Sequence, residues 1–428
     1  MQGEPRSALP AVTAGGLAAF LGPPTPKRYV VGTHRGRAPE ETWSLVQPCL
    51  ARFGVTRVAD VTGLDRVGIP VWTAVRPNSR TLSVTQGKGL EPFSAQVSAA
   101  MEALEAAHAE QPSRPLRYDG YEALRAKTAT IDVATLPPMR CSLFTAQREI
   151  FWIEAQDLLA GGSCWVPYEM VHTDATVPWM PGSGSFLSST NGLASGNTLA
   201  EAVLHGICEV VERDALALWE HAPPEQQAAT RIDLATATDP LVADVLERFR
   251  RAHVGVLAWD ATSDVGVAVV RAVVFEASSD PWLRPLPIAA GFGCHPDGSV
   301  ALLRALIEAA QSRLTIIAGS RDDFGRARYR AAQDAAALEH HRRLARAGSR
   351  VTIDRLPTGC GTTVDDDVAS VLDRLRGVGV PQVLAVDLSL EDVPVSVARV
   401  IVPGLEGPTE SLWYAPGPRV RARLQAAE

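Results

Sequence analysis

The sequence predicts an α+β fold with mixed sheets and buried acidic helices. The chain has 428 residues, 46% of them hydrophobic and 21% charged, enough for a large core of more than one packed layer. Short strand-like runs and helical periodicities are mixed along it, which suggests one composite core. Two largely apolar helical segments, 98–110 and 199–220, carry glutamates at three- and four-residue spacing.

Each element follows from local chemistry. Segment 32–55 reads as a turn and a short helix, with Trp43, Val46 and Leu50 marking the spacing. Two strand-like pieces in 57–77 flank a turn at Gly63–Asp65, and 76–92 reads as a polar, glycine-rich connection. Segment 94–112 is a helix with Ser94 as cap and Pro112 as stop. Residues 112–145 read as connection, and 148–171 as two strands joined at Gly161–Gly162. A Pro-, Gly- and Ser-rich loop, 172–197, leads into helix 199–220. Later come helix 239–249, strands 253–260 and 264–275, loop 276–290, and helices 299–317 and 323–346. Strand 350–354, helix 365–377 and strand 381–386 complete the series. The helices at 98–110 and 199–220 resemble one another, which permits an ancient duplication.

Bulk properties narrow the function. Forty-one basic against 48 acidic residues give a net charge of −7, without the electrostatic footprint of a nucleic-acid binder. The arginine-rich stretches 244–254, 321–330 and 342–357 carry apolar residues at helical spacing and read as solvated helix faces. The longest apolar candidate, 265–275, is interrupted by Arg271 and is too short for a membrane span. The first residues lack the basic stretch of a secretory signal, so the expectation is cytoplasmic. Six cysteines without a CxxC pair read as buried thiols. A zinc site from His205 and Cys208, or from Cys294 and His295, is the weaker reading.

The sharpest signal is the helix after Asn197. Asn197, Glu201, His205, Glu209 and Glu212 follow at spacings of four, four, four and three, and so share one side. Ser98, Glu102 and Glu105 repeat the pattern on the earlier helix. Such stripes can be plain wet faces. The apolar residues around them instead suggest burial, where converging carboxylates need protons, arginines or divalent cations. Mg²⁺ takes oxygen ligands and commonly binds with nucleotide phosphates. Lys88 in the turn 86–89 could meet phosphate, although it lacks a Walker pattern. Arg313 and Arg321 are further counter-charges, Glu308 is a magnesium ligand or an ion-pair partner, and Asp322 and Asp323 could cap the next helix. No nucleophile elbow, zinc-protease motif or dinucleotide fingerprint is present.

Together these residues resemble the YcaO family from about residue 29 to 405. SAAMEALE matches its SxxxExxE pattern, and NTLAEAVLHGICEVVERDA its asparagine-and-glutamate helix; QGKG, RALIEAAQSR and SRDD agree as well. The resemblance implies a YcaO-type ATP-binding fold, with Glu102, Glu105, Glu201, Glu209 and Glu212 on nucleotide-bound Mg²⁺. It places Arg35, Thr42, Lys88, Ser98, Asn197, Arg213 and Arg321 at the nucleotide, with Arg35 standing where some members carry lysine. Lys88 and Arg321 are the candidates for a direct catalytic role.

The implied reaction is ATP-dependent O-phosphorylation of a peptide backbone amide. Segments GTHR…PEET, TGLDRVGIPV and RPNSR look like the TfuA-associated, peptide-thioamidating subgroup. The ending APGPRVRARLQAAE holds only a fragment of the proline-rich tail of azoline formers. A thioamide in a ribosomally made precursor peptide is therefore the leading expectation. Azoline formation at Cys, Ser or Thr is the first alternative; an ATP-binding regulator and a carboxylate ligase are the others. A TfuA-like protein, a sulfur donor and the precursor peptide are the implied partners, and a homodimer follows by analogy. The expected division is an arm (1–30), a catalytic domain (31–405) and a tail (406–428).

Overall fold

The computed structural model describes residues 14–277 and 288–427. The start of the predicted arm, and 278–287 of the predicted loop 276–290, lie outside these residues. Helix α1 (Ala14–Leu21) buries Leu21 against the second half of the chain. Helix α2 (Pro39–Val46) opens on a proline followed by Glu40 and Glu41, the residues a helix N-terminus favours.

Strands β1 (Arg57–Asp60), β2 (Val71–Val75) and β3 (Val84–Lys88) form an antiparallel meander. Strand β3 lies within the stretch read as connection. It is buried on both faces yet built of Thr85, Gln86 and Gly87, so no alternation marks it. Helix α3 (Pro92–Glu110) starts ahead of the predicted Ser94 cap: Glu91 is the cap residue and Pro92 supplies the preset φ of a first turn. The predicted connection 112–145 contains β4 (Leu116–Gly120) and α4 (Tyr121–Arg125), both too short to show a period.

The largest sheet has six antiparallel strands. Strand β4 pairs with β5 (Glu149–Asp157), which also pairs with β6 (Ser163–Pro167). The far edge is β7 (Leu193–Gly196), hidden in the predicted loop before the acidic helix. Helix α5 (Leu199–Glu220) has the predicted bounds, and the Thr198 side chain accepts the Glu201 amide at its start.

Beyond it come α6 (Pro224–Ala229), β8 (Ile232–Asp233) and α7 (Pro240–Arg251). A second meander follows: β9 (Val254–Asp260), β10 (Ala268–Glu276) and β11 (Ala289–His295), covered by α8 (Gly298–Ala318). The predicted helix 323–346 is two helices, α9 (Arg326–Ala332) and α10 (Ala335–Arg346). Asp334 separates them by accepting the Ala336 and Ala337 amides and starting a new helix. Asp322 and Asp323 cap neither, since Gly325 precedes α9. Strand β12 (Val351–Thr352) pairs with β8, and α11 (Val364–Gly377) starts in a Thr363–Asp366 capping box. Strands β13 (Leu384–Asp387) and β14 (Ser396–Ile401) fill the six-stranded sheet between β5 and β7; β14 was not read from the sequence. Helix α12 (Pro418–Ala427) ends the described chain.

The internal likeness is not the predicted one. The unit β1–β3 plus α3 matches the unit β9–β11 plus α8, whereas α5 packs on β7 and β14. In each matching unit a strand glycine meets a row of helix alanines. Ala95 and Ala99 face Gly87, and Ala301, Ala305 and Ala309 face Gly291 and Gly293; all five alanines are fully buried. Small residues on both sides bring helix and strand together backbone to backbone. The polar residues on the adjoining helix face then point out of the packing layer, toward α5.

Candidate active site

A cleft of ≈ 1060 Å³ opens between α3, α5, α8 and the N-terminal segment. Every site residue implied by the family resemblance lines it. Helix α3 contributes Ser98, Glu102 and Glu105, and α5 contributes Glu201, Glu209, Glu212 and Arg213. Asn197 precedes α5, Lys88 ends β3, Arg321 follows α8, and Arg35 and Thr42 come from the N-terminal segment.

The start of α5 is a polar clasp. Glu201 is 1% exposed and its carboxylate accepts the Gly36 amide at 2.6 Å. It also accepts the Asn197 amide at 2.9 Å and Asn197 Nδ2 at 3.1 Å. Asn197 Oδ1 takes the Thr42 hydroxyl at 2.7 Å, and Arg35 lies 3.9 Å from Glu201. Glu201, Asn197 and Thr42 thus tie the N-terminal segment across the cleft, which fixes where Arg35 stands.

Deeper in, carboxylates crowd together. Burial pushes Glu212 up to about 8, with the Glu308 charge adding to it. Burial likewise raises Glu102 to about 7, opposed by Lys88 and Arg321. Glu105 is raised well above the usual range by burial and by Glu102, and Glu209 by burial despite Arg213. Glu308 differs: burial acts upward, yet Lys88, 2.9 Å away, and the nearby arginines bring it below the ordinary value. The ion-pair reading of Glu308 therefore holds in this state. Arg213 bridges Glu209 (3.8 Å) and Glu410 (2.5 Å), and Arg321 pairs with Asp323 at 2.6 Å.

Two contributors escaped sequence reasoning as site residues. Arg304 of α8 lines the cleft and donates to His205 Nε2 at 2.9 Å. Burial and the charges of Arg304 and Arg35 hold His205 far below its ordinary value, so it is a neutral acceptor. Arg399 of β14 is 2% exposed and donates to the Ser189 carbonyl. Its Nε and Nη1 have no hydrogen-bond partner among the described residues, and burial lowers it to about 10 although Glu209 and Glu105 act upward. Nothing in its Val-rich strand announces that it lies behind the glutamates. Arg304, at i−4 from Glu308, could have been found by extending the stripe.

Arg313 is a correction: it is fully buried and pairs with Asp65 at 2.8 Å, away from the cleft. His295 meets His34 and Cys360, all three within 4.8 Å, rather than the zinc partners considered from the sequence. The Asp297 amide already donates to His295 Nδ1 at 3.0 Å. Cys208 and Cys294 are buried free thiols.

A family profile, described as a YcaO cyclodehydratase binding ATP and Mg²⁺, matches residues 86–406. The chain belongs to the YcaO family. A relative encoded in the tfuA 3′ region of Rhizobium leguminosarum bv. trifolii is 39% identical over 398 residues, 92% of this chain and 94% of the relative. A Methanothermobacter thermautotrophicus protein is 36% identical over 86% of this chain and 94% of its own length. Among solved structures, YcaO from Methanopyrus kandleri bound with AMPPCP and Mg²⁺ aligns with a TM-score of 0.70 and 27% identity, covering 89% of this chain and 94% of that one. A heterocyclase in complex with substrate and cofactor aligns with a TM-score of 0.73 and 20% identity, over 91% of this YcaO chain. The alignment spans 55% of that heterocyclase, and at this identity the likeness is one of fold. Among the described residues no helix is long and apolar enough to cross a membrane.

The residues of this YcaO cleft suit Mg-ATP. Its donors are carboxylate oxygens, the ligands Mg²⁺ prefers, and Lys88, Arg35, Arg304 and Arg321 supply cations for phosphate. The proton-holding glutamates make this testable. Free of metal, Glu102 and Glu212 keep protons to about 7 and 8, above the values of an unfolded chain. Between about pH 5 and 8 these glutamates bind more protons in the folded state than in the unfolded one, so their contribution to stability falls as pH rises; His205 and His295, held far below their ordinary value, act the other way only below about pH 7. Thermal melts without Mg²⁺ should therefore drop from about pH 7 to pH 8, where histidines are largely neutral in both states, and Mg-ATP should stabilise more at pH 8 than at pH 7. A melting temperature that rises with pH over this window would refute the protonated cluster.

Proposed function

We propose that the protein uses ATP, with Mg²⁺, to O-phosphorylate a backbone amide of a ribosomally made peptide. Residues 31–405 are the catalytic unit in this reading, with 1–30 as arm and 406–428 as tail. The observation that carries it is the meeting of carboxylates from α3 and α5 with four cationic side chains in one cleft. The AMPPCP and Mg²⁺ bound by the Methanopyrus kandleri relative support the same ligand here.

Glu102, Glu105, Glu209 and Glu212 would hold Mg²⁺, with Glu201, Asn197 and Thr42 fixing the frame around them. Bound Mg²⁺ supplies charge neutralisation at the phosphate oxygens. Lys88, Arg321, Arg35 and Arg304 meet the phosphates and the charge that develops during transfer. Ser98 and Arg213 position the metal-binding helices and their carboxylates.

The family description as cyclodehydratases favours the azoline outcome, which reverses the order expected from the sequence. A Cys, Ser or Thr side chain of the peptide gives up its thiol or hydroxyl proton and attacks the carbonyl carbon of the preceding amide. The amide oxygen takes the γ-phosphoryl group, ADP forms, and the oxygen leaves as phosphate while the amide nitrogen loses its proton. The second reading, thioamide formation, is favoured by the relative from the tfuA 3′ region. There an external sulfide attacks and replaces the oxygen, and a TfuA-like partner and a sulfur donor take part. A homodimer fits either reading.

Tandem mass spectrometry of the precursor peptide, incubated with the protein, its TfuA-like neighbour, Mg-ATP and sulfide, separates these. Loss of one water at Cys, Ser or Thr is the expected result. Exchange of one oxygen for sulfur at a backbone amide would put the thioamide reading first. An unmodified peptide with no ADP released would leave the regulator.

A further inference from the structure

The proposed nucleotide site accounts for the glutamates of the cleft and for Lys88, Arg35 and Arg304, but not for an apolar part of its lining. There Val273 of β10 and Ile288, Ala290 and Phe292 on or beside β11 form an apolar wall, facing Ala332 and Ala337 of α9 and α10. The alternation is set by packing: Gly291 and Gly293 lie against α8, so the intervening positions face the cavity.

One cation stands in this wall. Arg271 is paired in register with Phe292 on one side and Trp259 on the other. Its guanidinium lies 5.3 Å from the Trp219 ring and 5.4 Å from the Trp259 ring. Trp219 is itself fixed, since its indole N–H donates to the Thr230 hydroxyl at 3.0 Å. Arg271 Nε is buried without a hydrogen-bond partner among the described residues. Glu220, whose charge reaches Arg271, instead accepts the Thr409 hydroxyl at 2.7 Å. Two indoles offset part of the cost of burying a guanidinium but satisfy none of its N–H donors. A planar guanidinium with an unsatisfied Nε–H beside an apolar wall matches a carboxylate on a short aliphatic stem.

We propose that this part of the cleft is a carboxylate subsite of the substrate peptide, with Arg271 as its anchor. It takes an Asp or Glu side chain near the activated amide, or the peptide's terminal carboxylate. The aliphatic stem lies along Val273, Ala290 and Phe292, and the carboxylate completes the Arg271 donors. The subsite rests on the peptide-modifying reading of the same cleft.

The test measures binding without nucleotide, by calorimetry and by the fluorescence of the two tryptophans. The probes are three synthetic octapeptides: one with a single cysteine and a single glutamate and an amidated end, its Glu→Gln counterpart, and the Gln peptide with a free C-terminal carboxylate. The wild type should bind a carboxylate-bearing peptide about tenfold more tightly than the amidated Gln peptide, as for a charge-assisted hydrogen bond. Whichever carboxylate gives the gain identifies its source. R271Q should bind all three alike, while R271K should keep part of the preference and show that the fold is intact. No discrimination by the wild type, no peptide binding, or full discrimination by R271Q would each overturn the subsite. Failure of the peptide-modifying reading looks different: carboxylate discrimination would persist while no peptide released ADP from ATP.

Discussion

Replacing Glu209 or Glu212 with glutamine should cut Mg-ATP-dependent phosphate release at least about 100-fold, the scale on which even outer-shell partners of a metal matter. Glutamine keeps the shape but removes the charge and one ligand oxygen. The fold should not suffer. Both carboxylates are raised by burial and lie among like charges, so neutralising one relieves repulsion in the metal-free protein. At pH 8 the variants should melt at or above the wild-type temperature, and Mg-ATP should stabilise them less. Glu201→Gln is the contrast. That carboxylate is spent on the Gly36 and Asn197 amides, so its loss should lower stability as well as activity. Turnover equal to wild type in Glu209→Gln and Glu212→Gln would remove both from the metal site.

The acidic helices were legible because a period of 3.6 survives in any sequence long enough to show it. Helix α5 has its predicted bounds, and its stripe reaches one cleft with that of α3. What the sequence hid was short or doubly buried. Strands β3 and β7 are short and buried on both faces, with only Val84 and Leu193 as large apolar residues, so they show no alternation. Yet these are the strands that bring Lys88 to Glu308, and Ser195, which hydrogen-bonds Glu105, into the cleft. Arg313 and Arg399 show the same limit from the other side. Each is an arginine in an apolar segment, and only tertiary packing assigns one to Asp65 and the other to the rear of the carboxylate cluster.

Gly291→Ala should destabilise the protein by about 3 kcal/mol or more, at the top of the range for overpacked cores. A methyl group there would overlap the Ala309 amide nitrogen and the Ala305 carbonyl, with the Glu308 carbonyl carbon 2.7 Å away. These are backbone atoms of α8, which cannot swing aside as a side-chain tip does. Strand and helix must separate, and α8 carries Arg304 and Glu308 into the cleft. Weakened nucleotide binding should therefore accompany the loss in chemical denaturation. Gly63→Ala is the control, since nothing lies within 4 Å of a methyl group there; it should change stability by no more than about 0.5 kcal/mol. Gly87, pressed on Ala95 and Ala99 of α3, should behave as Gly291 does. A Gly291→Ala protein as stable as wild type would mean that β11 and α8 do not meet backbone to backbone. If Gly87→Ala alone proved costly, the two meander units would share a topology but not the packing that places their polar residues.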